Sequence, residues 1–149
     1  MPHHASNPSF VKEVKESFAK QSVMSLIGGE LTRLEPGIIE ITLPYRRDLT
    51  QQHGYVHAGI ITTIADSACG YAAYTLMPPG SDVLAVEFKL NLLRPAKGET
   101  FTARAEVIKS GRTLTVVRAD VHAFTGEQRE LIATMQGTMI RLERSSQNS

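Results

Sequence analysis

The chain predicts an α+β fold: a curved antiparallel β-sheet wrapped around a long central helix, with a short helix in front. Three observations carry this. The stretch from Gly59 to Leu76 lacks proline and is small or apolar around most of its circumference, as at Ile60, Ile64, Ala65, Ala68, Ala72 and Leu76, which is the pattern of a buried helix. After Gly80 the apolar period changes to two and stays there. The links between those period-two runs are short, so successive strands are antiparallel neighbours. The helix is apolar on too many sides for a flat contact, so the sheet has to curl round it. One layer of sheet still leaves part of the helix uncovered, and a second copy across a two-fold axis is the simplest cover.

The elements follow in order. Asn7-Pro8 reads as a helix start, and Phe10, Val11, Val14 and Phe18 form an apolar stripe opposite Lys12, Glu13, Lys15, Glu16 and Lys20. This predicts an amphipathic helix over about 8–25, stopped by Gly28-Gly29 and too solitary for a helix-turn-helix DNA reader. Glu30 to Leu34 and Gly37 to Leu43 read as strands joined by the turn Glu35-Pro36-Gly37. A polar stretch with two histidines, Gln51 to Gly59, then enters the central helix, which Met77-Pro78-Pro79-Gly80 closes. Four strands come last. Their inward sets are Leu84, Val86, Phe88, Leu90 and Leu92; Phe101, Ala103, Ala105 and Val107; Val117, Ala119, Val121 and Ala123; and Leu131, Ala133, Met135, Gly137 and Met139. The whole of 1–149 reads as one domain with its core at about 30–142 and a polar, frayed tail at 143–149.

Composition excludes several classes. Sixteen basic and fifteen acidic side chains nearly cancel, which argues against nucleic acid or an anionic membrane as a bulk electrostatic partner. No stretch is apolar enough to span a bilayer, and Met1-Pro2-His3-His4 lacks the basic-then-apolar order of a secretory signal. The single cysteine, Cys69, lies in the apolar helix, so no internal disulfide is expected. A cytoplasmic protein is the expectation. Inside the central helix stands one acid, Asp66, with Thr62, Thr63 and Ser67 as its polar company. An ionised carboxylate there is unfavourable unless hydrogen-bonded, paired or useful.

One motif set resembles a known family. His57-Ala58-Gly59 precedes Asp66, which stands nine positions after the histidine, and Gly54 stands three before it. With Asp66-Ser67-Ala68-Cys69-Gly70, Asn91-Leu92-Leu93-Arg94-Pro95-Ala96 and Gly111-Arg112-Thr113, the chain is similar over roughly 30–142 to the hotdog-fold acyl-CoA thioesterases, particularly the phenylacetate-pathway (PaaI-like) branch. Three departures stand out: Ala58 where a glycine is commoner, Gln51 where several relatives have asparagine, and Ala85 where some place a serine or threonine supplied by the partner subunit.

The resemblance implies hydrolysis of an acyl-CoA, aryl or short to medium in chain, to free acid and coenzyme A. Asp66 would act as general base on water or as nucleophile. The free N–H groups of a helix start carry partial positive charge, so the Ala58 and Gly59 amides are the oxyanion-hole candidates. His57 would position the carbonyl or the water, with Gln51 in support. His53 and Gly54 are candidates for substrate contact. Arg94, Lys97, Lys109, Gly111 and Arg112, at turns and strand ends, are candidates for the phosphates of coenzyme A. His53 and His57 with one distant acid make a poor zinc set, so no metal is expected, and no cofactor beyond the coenzyme A of the substrate. The family precedent is a homo-oligomer, a dimer of dimers. Two rival readings are a hotdog hydratase or dehydratase and a non-catalytic acyl-CoA-binding protein. The small residues after His57 favour hydrolysis over the first, and the lack of room for a DNA-binding domain in 1–29 weighs against the second.

Overall fold

The computed structural model describes residues 2–144. Helices α1 (Phe10–Lys20) and α2 (Ser22–Ile27) precede strands β1 (Glu30–Glu35) and β2 (Ile38–Pro44). A short 3-10 turn (Arg47–Leu49) leads to the central helix α3 (Ala58–Tyr74), and strands β3 (Ser81–Leu92), β4 (Thr100–Ser110), β5 (Leu114–Thr125) and β6 (Gln128–Glu143) follow. One six-stranded sheet runs in the order β1-β2-β4-β5-β6-β3, antiparallel at every junction. This is the hotdog fold, with the sheet curled around α3. That helix contacts β2, β3, β4, β5 and β6.

The core forms where the sheet's inner face meets α3. Along β4 and β5 every second residue is buried, from Phe101 to Val107 and from Thr115 to Ala123, as a sheet with one wet face requires. Ile61, Ile64, Ala65, Ala68, Ala72 and Ala73 of α3 are sealed against them. Alanine suits this helix twice: it has the best helix propensity, and its small side chain lets the strands come close. At the far end Thr75 Oγ1 accepts the Gly37 N–H at 2.7 Å and donates to Ala72 O at 2.7 Å, fastening the β1–β2 turn to the end of α3. Among the described residues no helix is long and apolar enough to cross a membrane.

Five details depart from the sequence expectations. The front helix is two helices, because the chain leaves helical geometry at Gln21 (φ −79°, ψ 92°), whose N–H closes α1 on Phe18 O. Asn7 does not cap α1; Ser9 holds that position, while Asn7 bonds to Ser9 N–H and to the Glu13 carboxylate. In β3 a bulge at Val86 resets the alternation: Ala85 pairs with buried Met139 and so faces inward, while Leu84 pairs with Ile140 on the outer face. In β6 a bulge at Ile132 buries that residue in place of Leu131. The tail is ordered further than expected. Glu143 pairs with Ser81, and Arg144 reaches Tyr74 Oη at 2.8 Å and Asp82 at 3.6 Å; the remainder of the expected frayed tail, 145–149, lies outside the described residues.

β3 is also barely covered. It forms one edge of the sheet, and Leu84, Val86, Phe88 and Leu92 are each between 43% and 58% exposed. A long edge strand carrying such side chains invites another strand.

Candidate active site

Two cavities contain the predicted chemistry, and they are not the same cavity. The first, of about 540 Å³, opens at the start of α3 and is lined by Gln51, Tyr55, His57, Ala58, Leu93 and Arg94, among others. Its floor is tied together by backbone bonds: Val56 N–H to Ala96 O, His57 N–H to Leu49 O, and both Leu93 and Arg94 N–H to Ile132 O. The Ile132 bulge thus anchors the 93–96 loop against the helix start.

His57 is the N-cap of α3, and its Nδ1 accepts the Gly59 N–H at 2.8 Å. A nitrogen that accepts carries no proton, so in this geometry Nε2 is the ring's donor. A Cβ on residue 59 would stand 3.1 Å from that Nδ1, so glycine there lets the ring fold back. The Gly59 amide is therefore engaged by His57, and the Ala58 N–H is the helix-start donor with no acceptor among the described residues.

Gln51 organises the loop before the helix. Its Oε1 accepts from His53 N–H at 2.6 Å and Tyr55 N–H at 3.3 Å, and its N–H donates to Tyr55 O at 2.8 Å. This leaves the side-chain amide N–H groups for the cavity. His53 and Gly54 occupy the exposed tip of the same loop, where Gly54 takes φ +85° and accepts from Tyr45 Oη. Neither lines the cavity.

Asp66 lies two and a quarter turns further along α3, about 12 Å from Ala58 at roughly 1.5 Å per residue. It lines a second cavity of about 270 Å³ with Ser17, Gln21, Ser67, Tyr71 and Ala85. Its Oδ1 is buried and has no hydrogen-bond partner among the described residues. Burial raises the Asp66 carboxyl above its ordinary range.

The basic candidates also divide. Arg94 lines the mouth, exposed and 3.7 Å from Glu130, whereas Lys97 is exposed three residues on and outside the lining. Lys109, Gly111 and Arg112 lie at the β4–β5 turn, a full strand away, about 30 Å at roughly 3.3 Å per residue. There the Gly111 N–H is already bonded to Leu114 O at 2.8 Å, and a Cβ would sit 2.5 Å from that oxygen, so glycine is needed for the turn itself. Within one chain, then, the helix mouth, the acid and the second basic pair stand apart. The sequence reading missed Gln21 and Ser17 as neighbours of Asp66. Only the polarity of Gln21 at the end of an amphipathic stripe hinted at anything, and a solvent-facing residue looks the same.

A curved sheet around a helix with an open N-terminus and one unpartnered acid defines a thioester hydrolase of the hotdog class. The chain belongs to the thioesterase superfamily, whose family model matches residues 53–130. It is similar to a thioesterase family protein from Silicibacter pomeroyi, 51% identical, with a TM-score of 0.88 over 90% of this chain and 98% of that one. The E. coli PaaI protein from the phenylacetic acid degradation operon shares the fold, with a TM-score of 0.83 over 92% of this chain and 96% of that one at 20% identity. The 1,4-dihydroxy-2-naphthoyl-CoA hydrolase of Listeria monocytogenes is 29% identical over 90 residues, 60% of this chain and 73% of that protein.

Proposed function

We propose that this thioesterase hydrolyses an acyl-CoA, aryl or short to medium in chain, to the free acid and coenzyme A. The observation that carries the reading is Asp66: a carboxylate with an unpartnered buried oxygen beside a cavity, on an otherwise apolar helix. Resemblance to a naphthoyl-CoA hydrolase supports the substrate class.

In this reading Asp66 takes a proton from water as the water oxygen bonds to the thioester carbon. The carbonyl oxygen gathers negative charge, which the Ala58 N–H and the positive end of α3 stabilise. His57 donates from Nε2 to the same oxygen, and Gln51 holds the loop that carries both. The C–S bond then breaks and the proton on Asp66 leaves with the thiolate. Direct attack by Asp66 would give an anhydride in place of the first step. This reading invokes no metal and no cofactor beyond the coenzyme A of the substrate.

The separation of Asp66 from Ala58 argues that two copies build each site. Pairing β3 antiparallel with a second β3 would cover the exposed Leu84, Val86 and Phe88 and run the two central helices past each other in opposite directions. The mouth of one copy would then face Asp66 of the other. The same two-fold would bring Lys109 and Arg112 of one copy toward the Arg94 and Lys97 end of the other, where coenzyme A phosphates would lie. Dimers of this kind pairing into tetramers, in the cytoplasm, complete the proposal.

The test is thiol release from a panel of short, medium, long and aryl acyl-CoAs, run beside Asp66→Ala. Turnover that disappears in the variant is expected. No release from any member, with acyl-CoA binding seen by calorimetry, would make the protein a binder.

A further inference from the structure

The Asp66 cavity has a wall that the hydrolase reading does not use. α1 and α2 are rooted in the core by Val14, Met24 and Ile27, each almost fully buried. Between them Gln21 is held at both backbone groups: its N–H donates to Phe18 O at 3.0 Å and its O accepts the Met24 N–H at 3.0 Å. Its side chain reaches across to α3, where Ser67 Oγ donates to Gln21 Oε1 at 2.9 Å. Ser67 is the residue after Asp66. With Oε1 engaged, the Nε2 group is the free end of the amide, and it makes no hydrogen bond among the described residues.

The rest of the cavity offers little else to a polar guest. Ser17 Oγ and Tyr71 Oη bond to each other at 3.1 Å. Ala85 and Gly70 present no polar side chain. Gln21 is thus the only side-chain N–H donor among the lining residues of a cavity that Asp66 also lines. A donor and a carboxylate that line one small cavity are what a water molecule bridges.

We propose that Gln21 holds the attacking water for Asp66, with Ser67 as the positioning residue that aims the Gln21 amide. The proposal rests on the hydrolase reading above. The water donates one O–H to the Asp66 carboxylate and accepts from Gln21 Nε2, which leaves its other lone pair directed at the thioester carbon. As the O–C bond forms, that O–H bond breaks and its proton passes to Asp66. A water fixed at both ends is already in attack geometry, and misplacement by about 1 Å lowers rates by about 100-fold. Within its own chain few titratable groups face Asp66, and the proposed second copy adds the His57 of its mouth. Cys69 and Tyr71 share its helix and both titrate above their ordinary ranges through burial. α1 brings Ser17, the α1–α2 link brings Gln21, and β3 and β6 bring Val83, Leu84, Ala85 and Met139, none of them charged.

The experiment compares wild type, Gln21→Leu, Gln21→Glu and Ser67→Ala in the full chain. Melting temperatures screen out misfolding. On whichever thioester the wild type cleaves, Gln21→Leu is expected to lower kcat by about 10- to 100-fold with KM within about twofold, and Ser67→Ala to do the same more weakly. Gln21→Glu sets a second carboxylate against Asp66 and is expected to move the acid limb of the kcat profile to higher pH. The Asp66 carboxyl is also followed by carbon NMR in the absence of substrate, where Gln21→Glu should raise its midpoint. Unchanged kcat in Gln21→Leu, or an unmoved Asp66 midpoint in Gln21→Glu, overturns the proposal. A wild type that releases no thiol would sink the hydrolase reading and with it the water-holding role; the titration alone would then report whether the two side chains are coupled.

Discussion

The Gly59 amide donates to Nδ1 of His57 at 2.8 Å, so the histidine that opens the central helix also caps it. Loss of a cap acceptor destabilises a protein by about 1 kcal/mol. His57→Ala should therefore melt lower and turn over slower. His57→Asn restores a short acceptor but not the Nε2 donor. It should recover the melting temperature and still lose about 100-fold in kcat. Recovery of both would reduce His57 to a cap.

Asp66 links pH to stability and to rate with opposite signs. Burial raises its carboxyl above the ordinary range. In the window between the unfolded and the raised folded value the native chain holds the extra proton, so stability falls as pH rises through that window. Asp66→Asn removes this loss and should melt above wild type near neutral pH, the gap closing on acidification. The base must be ionised, so wild-type kcat should climb with pH through the raised value, and Asp66→Asn should lose about 100- to 10,000-fold. Melting and rate profiles across pH check both. An Asn variant less stable than wild type near neutral pH would contradict the first.

Arg112 stands a strand's length from the mouth of its own chain. If it clamps phosphate across the two-fold, Arg112→Ala raises KM more than it lowers kcat, and the effect disappears with a substrate analogue lacking the nucleotide. The reverse split would argue against the clamp.

Phe88 lies on β3 and is 43% exposed. Phe88→Lys places a charge on the edge that meets the second copy in the proposed dimer. Light scattering should show monomers, and turnover should vanish with the dimer. An active monomer would place the whole site in one chain.

Cys69 has no exposed surface, and burial, with Asp66 nearby, pushes its thiol up to about 12. Native protein should give no signal with a thiol reagent, and denatured protein one equivalent per chain. Thiol-release assays should therefore read coenzyme A alone.

Much of this was legible in the residues. The apolar circumference of 59–76 and the period-two runs after Gly80 lead directly to a sheet curled round a helix. The bulges were hidden for a physical reason. Around Val86 the run Val83-Leu84-Ala85-Val86 is apolar at every position, so no alternation marks which residue is extra. At Ile132 both candidates for the inner face are aliphatic. Asp66 and His57 stood out because a charge or an imidazole is unusual at those places. Gln51 did so through family resemblance, but its hydrogen bonds to His53 and Tyr55 depend on loop geometry. Gln21 is a polar residue on a polar stretch, and only the fold brings it to Ser67.

The sheet order sets a timetable. β3 is made directly after the central helix, yet its only neighbour in the chain is β6, the last strand. On the ribosome β3 has no strand of its own sheet to pair with until β6 is made, from Ala133 onward. Closing the long loop between them comes late in folding. Until that pairing forms both edges of β3 are open, so the nascent chain carries an apolar strand that is prone to meet other chains before its own core is complete.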